Sequence, residues 1–182
     1  MIEPAPPYEG EGPPALWHVS EDPTIERFEP HLRPEHAADE PLVWAIDTRH
    51  LPLYWFPRDC PRATFWATGE TTDEDVERFL DGDRRRRVHV IEGAWLARMR
   101  TTRVVAYRLP EEPFRQDEDR FWTSHTAVDP IELVELGDLL ARHADAGIEL
   151  RIASAFYPLW DEVVSSTLDF SGIRLRNATL AS

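Results

Sequence analysis

The chain has 182 residues, of which 42% are hydrophobic and 10% aromatic, so it holds material for a core and wholesale disorder is excluded. All 20 basic side chains are Arg, which excludes a Schiff-base Lys or a phosphate-binding P-loop Lys. The net charge of −14 argues against a general nucleic-acid coat, and no apolar run approaches the roughly 20 residues that span a bilayer.

Residues 1–14 hold five Pro, two Gly and three Glu, a composition that predicts a mobile tail. A single domain is expected over 15–182. Its first strand is predicted over 15–20, closed by Glu21-Asp22-Pro23. Ile25 and Phe28 are expected to anchor a short helical turn beneath a Pro-rich loop from Pro30 to Pro41. The apolar run 42–46 predicts a buried strand. Residues 49–56 read as a short helix or turn, and 57–62 as a stiff connector bracketed by Pro. A strand at 63–67 precedes a helix capped by Thr72 or Asp73 and reaching about Leu80. Then come an alternating strand at 87–92, a short helix at 94–100 and a strand at 103–109. Strands follow at 120–124 and 131–136, and a helix at 138–146 closed by Gly147. A strand at 148–152, a helix at 159–166 just after Pro158 and an edge strand at 173–176 complete the chain. Neighbouring strands outnumber βαβ units, so the expected class is α+β. The sheet is expected to be mixed, mostly antiparallel and twisted, or split into two packed sheets, with about four short helices.

Chemistry-bearing residues concentrate in two places. His18 lies on the first strand with Ser20 two positions on, hence on the same face. The segment from Asp47 to Arg62 emerges from a buried strand and carries Asp47, His50, Tyr54, Arg58, Asp59, Cys60 and Arg62. Polar groups at the end of a buried strand often line a pocket. Arg58 and Arg62 flank a Pro-bounded turn and are read as a fork for phosphate or carboxylate; the competing reading pairs both with Asp59. Cys60 beside two guanidinium groups is a candidate for a lowered thiol pKa. His89 and His143 are read as structural or exposed. No three metal ligands cluster locally, so no metal site is assigned, although His18, Asp47 and His50 leave a metal-dependent hydrolase as an alternative.

The runs Leu16-Trp17-His18-Val19-Ser20-Glu21, Val43-Trp44-Ala45-Ile46-Asp47, Phe56-Pro57-Arg58-Asp59-Cys60-Pro61-Arg62 and Arg174-Leu175-Arg176-Asn177-Ala178 resemble an uncharacterised bacterial family, a domain of unknown function. A second resemblance, to the ADP-ribosyltransferase-like fold, rests on His18-Val19-Ser20, the strand 43–46 and Tyr54. It implies that His18 holds an NAD ribose and that Tyr54 stacks on nicotinamide. The Glu that orients the ribose in that family has no match here. The expectation is a cytoplasmic protein with a pocket for an anionic small molecule, a nucleotide such as NAD first among them. In this reading His18, His50 and Tyr54 act in chemistry, Ser20, Asp47, Arg58 and Arg62 bind ligand, and neither membrane nor nucleic acid is a partner. The rival reading is a non-enzymatic protein whose acidic surface and tail meet a basic protein partner.

Overall fold

In a computed structural model of the chain, which describes residues 15–32, 40–116, 121–154 and 156–179, ten strands and four α-helices give the expected α+β class with mostly antiparallel pairing. The expected tail 1–14 and the middle of the loop from Pro30 to Pro41 lie outside the described residues. In chain order the strands are β1 (Leu16–Ser20), β2 (Val43–Asp47), β3 (Arg62–Trp66), β4 (Arg87–Glu92), β5 (Val105–Leu109), β6 (Arg115–Gln116), β7 (Phe121–Ser124), β8 (Glu132–Glu135), β9 (Glu149–Ala153) and β10 (Asp169–Ile173). The helices are α1 (Asp73–Leu80), α2 (Leu96–Thr101), α3 (Leu139–Asp145) and α4 (Phe156–Val164). The chain divides into two compact units, each built on its own sheet. Neither is a continuous segment.

Of the described residues, the first unit takes those from 15 to Trp55 and then 103–136. Its sheet has the order β6-β7-β2-β1-β5-β8, antiparallel throughout. Paired residues share a face, so Leu16 lies over Leu109 and His18 over Tyr107. Leu16, Val43, Ala45, Val105, Tyr107 and Leu109 form a core on that face, covered by Phe28, Phe114 and Val128. Full burial of such side chains stabilises by roughly 2 kcal/mol each. The helical turn expected at Ile25–Phe28 is absent. Phe28 instead makes an isolated antiparallel bridge with Val128, its N–H and C=O both engaged at 2.8 and 3.0 Å. A long-range pairing has taken the backbone groups that a local helix needed. Tyr107 fixes the preceding turn, donating to Asp22 O at 2.8 Å and accepting from Ile25 N at 3.0 Å.

The second unit takes residues 56–102 and the chain from Gly137 on. Its sheet has the order β10-β3-β4-β9, parallel only between β4 and β9. Ala63, Phe65, Val88 and Val90 form one face, packed with Val76, Phe79, Phe156 and Val163 from α1 and α4. Thr72 caps α1, accepting from Asp75 N at 3.2 Å, with Asp73, Glu74 and Asp75 in the first turn favoured by the helix dipole. Helix α4 begins before Pro158, which sits third in it, where its missing N–H costs nothing. The alternation of β4 does not mark a solvent face: all six residues are buried. The last strand starts at Asp169, four residues earlier than expected, because its Asp, Ser and Gly weaken the local signal while pairing with β3 holds it. Gly172 on β10 is needed there: a Cβ would lie 2.5 Å from Trp160 Cη2 and 2.9 Å from Leu175 Cδ1. Gly172→Ala is therefore expected to destabilise by about 1–3 kcal/mol through overpacking. Urea unfolding checks this; an unchanged midpoint contradicts it.

Candidate functional site

Asp47 ends β2 opposite Leu16, so its carboxylate shares the sheet face of His18 and Ser20. The chain then turns into a 3-10 helix over Leu51–Tyr54. In that turn Asp47 Oδ1 accepts from His50 N–H at 2.9 Å and from His50 Nδ1 at 2.8 Å. Both side chains are mostly covered, His50 at 15% and Asp47 at 10% exposure. Burial by itself would raise the Asp47 carboxyl, but the hydrogen bonds and charge of His50 outweigh it and hold the group below its ordinary value. An ionised carboxylate only accepts, so Nδ1 of His50 carries the proton. In the neutral ring the lone pair then sits on Nε2, the arrangement of an oriented imidazole base. The same logic applies to His18, whose Nδ1 lies 2.9 Å from the Trp44 carbonyl oxygen and therefore donates. Its ring rests on Phe28, centroids 4.7 Å apart. Ser20 Oγ accepts from Asp22 N at 3.0 Å, so it closes a turn. Tyr54 is half-buried at the end of the 3-10 helix.

Arg58 and Arg62 belong to the second unit and do not form an exposed fork. Arg58 is exposed, whereas Arg62 is 3% exposed, donates to Cys60 O at 3.1 Å and lies 5.2 Å over the Phe56 ring. The turn between them is tied to the C-terminal segment by Asn177 Nδ2, which donates to Asp59 O at 2.8 Å. Two of the runs singled out in the sequence thus meet for a structural reason. The candidate lowered thiol is not found: burial pushes Cys60 up to about 12, against the pull of Arg62 and Arg98, so the thiolate is disfavoured.

The sequence reading did not anticipate the buried polar chain on the second face of this sheet. The register sets Arg87 beside Trp66 and His89 beside Thr64. Arg87 Nε donates to His89 Nε2 at 3.0 Å, and His89 Nδ1 then donates to His143 Nε2 at 2.9 Å. His143 Nδ1 donates to Leu139 O at 2.6 Å. One tautomer of each neutral ring satisfies the series from Arg87 to Leu139. Burial, then the charge of the neighbouring groups, holds His89 well below its ordinary value. Burial also lowers His143, to about 4, although its bond to Leu139 O opposes the shift. The Arg87 guanidinium lies 4.5 Å over the Trp66 ring. A basic and an imidazole residue at i and i+2 on an apolar strand was the available signal.

A groove of about 460 Å³ opens in the first unit between the loop at Pro23–Glu26 and the segment Pro130–Leu133, and none of the predicted site residues lines it. Among the described residues no three His, Cys, Asp or Glu side chains come together as a metal site would require. Nor is any described helix long and apolar enough to cross a membrane. Searches of curated proteins and of solved structures each return no match, so the resemblance to ADP-ribosyltransferases gains no support from them. A family model, by contrast, matches residues 17–178, nearly the whole of the described chain and, apart from Leu16, all four of the runs noted in the sequence. The chain belongs to the family of unknown function DUF6886.

Proposed function

We propose that the protein carries out acid–base chemistry on a small anionic molecule at the end of β2, with a nucleotide such as NAD as the first substrate class to test. The observation that carries this reading is the pair of hydrogen bonds that Asp47 Oδ1 accepts from the backbone and ring of His50, which fixes the ring and its tautomer. In this role Asp47 is a positioning residue and His50 Nε2 takes the proton. His18, on the same sheet face, contributes a second imidazole, and Trp122 beside Asp47 an aromatic surface. The preference for an anion rests on these imidazoles, which are cations when protonated; the choice of nucleotide rests on the sequence resemblance alone. Arg58 and Arg62 are left out of the site. For hydrolysis of NAD the step would run as follows: His50 takes a proton from water, the water oxygen attacks the ribose C1′, and the C1′–N bond breaks with its electron pair passing to nicotinamide, which leaves neutral.

The test uses the whole chain and a panel of NAD, ADP-ribose and ATP. At least one is expected to raise the melting temperature in a saturable way. His50→Ala is expected to lower turnover of that compound by about 10²–10⁴-fold. Asp47→Asn should lower it too and displace the acidic limb of the pH–rate profile. A panel that leaves the melting temperature unmoved at millimolar concentration overturns the substrate class, and full turnover by His50→Ala overturns the acid–base reading.

A further inference from the structure

We infer that the groove beside β8 is a docking site for an extended segment of a partner protein that alternates apolar and basic residues, added as a further strand to the sheet edge. This goes beyond the acid–base reading, since His18, Asp47 and His50 take no part in it. Strand β8 is the edge of the six-stranded sheet. Leu136 N–H bonds Val104 O at 2.9 Å, and the register pairs Val134 with Ala106 and Leu133 with Tyr107. Bonded and non-bonded pairs alternate along an antiparallel ladder, so Val134 faces inward and the N–H and C=O of Leu133 point to the outer edge. An edge of this kind is a template for strand addition.

The side chains around it say what would be added. Ile131 is 63% and Leu133 40% exposed, large apolar groups on the wall of the groove. Glu26 and Glu132 stand on the same groove, and among the described residues neither carboxylate is in an ion pair. Their charged neighbours are committed elsewhere: Arg27 to Glu29 and Asp129, Arg108, which the register sets opposite Glu132, to Glu111 at 3.9 Å, and Glu135 to Arg103. The opposite wall is fixed, because Tyr107 Oη holds Asp22 O and Ile25 N, and Thr24 closes on Asp22 Oδ1 at 2.9 Å. A preformed wall lowers the ordering cost of binding. A second copy is the poorer occupant: its β8 would bring Glu132 and Glu135 against the same acids, and the chain as a whole carries −14.

The experiment titrates the full chain with a synthetic peptide of six Lys-Val repeats, using Glu-Val and Lys-Gly repeats as controls. The Lys-Val peptide is expected to bind and both controls to bind at least tenfold more weakly. The Glu26→Gln, Glu132→Gln double variant should weaken it roughly tenfold, the scale of two partly exposed ion pairs. Leu133→Pro removes the outward N–H together with the exposed Leu side chain and leaves the inward ladder bonds in place, so it should abolish binding while the melting temperature stays near that of the wild type. If Leu133→Pro does not fold, the Gln variant still decides. Equal binding of the Glu-Val peptide, no loss in the Gln variant, or self-association of the chain through Leu133 in sedimentation overturns the inference.

Discussion

Arg87→Ala is expected to lower the stability of the protein by about 4 kcal/mol, from an orphaned buried acceptor and a large cavity together. Arg87 is 0% exposed, the largest of the fully buried side chains among the described residues. Truncation leaves His89 Nε2 without its donor in a site that water does not reach, at about 1–3 kcal/mol for an orphaned buried acceptor. It also empties the space over the Trp66 ring, and a cavity of that kind adds its own cost. Arg87→Met separates these contributions: it restores most of the volume but not the donor, so it should fall between Ala and wild type. Urea unfolding followed by Trp fluorescence measures all three. An Arg87→Ala variant within about 1 kcal/mol of wild type would show that the Arg87–His89–His143 series contributes little.

A second large effect follows from the same chain. His143 titrates in the folded protein at about 4, and His89 also lies well below its ordinary value. Between the ordinary value of 6.5 and about 4, the unfolded chain therefore binds protons that the folded chain refuses. Stability is fully present above about pH 6.5 and falls as the pH drops through this window. The displacement of His143 alone corresponds to about 3 kcal/mol once the pH is below 4, and His89 adds in the same direction. Asp47 acts lower down, since a depressed carboxyl loses its contribution only as the pH falls through its folded value. Unfolding free energies at pH 7.5, 6.5, 5.5 and 4.5 should decline with a slope that steepens below 6.5. His143→Gln removes one titrating ring and should flatten that slope even if it lowers the plateau. A flat profile from 7.5 to 4.5 would contradict burial of two neutral imidazoles.

The fold was legible where local chemistry and long-range packing agree. The Thr72 cap with its acidic first turn, the apolar run of β2 and Gly147 after α3 each reach the structure within a residue or two. It was illegible where a distant partner decides. Phe28 is drawn into a bridge by Val128, a hundred residues on, and β10 is a strand because Trp66, Thr64 and their neighbours pair with it. The site divides in the same way. Asp47 and His50 are three apart in sequence and bond through a local turn, a bond that their spacing as possible metal ligands did not specify. His18 joins their sheet face only through the β1–β2 register. The series from Arg87 to His143 depends on the bond between His89 and His143, 54 positions apart, and no spacing rule could have found it. Arg62 misled because a Pro-bracketed turn suggests exposure, while its side chain folds inward onto Phe56 and Cys60 O.

The proposed role of His50 is tested most directly by nitrogen NMR of the protein labelled at histidine, titrated with NAD, ADP-ribose and ATP in turn. In the free protein the His50 ring should show its proton on Nδ1, and that signature should vanish in Asp47→Asn. On titration with at least one of the three compounds, the Nε2 resonance of His50 should shift saturably, while those of His89 and His143 stay fixed. A His50 ring protonated on Nε2, or one that ignores all three compounds while the buried pair responds, would contradict the account.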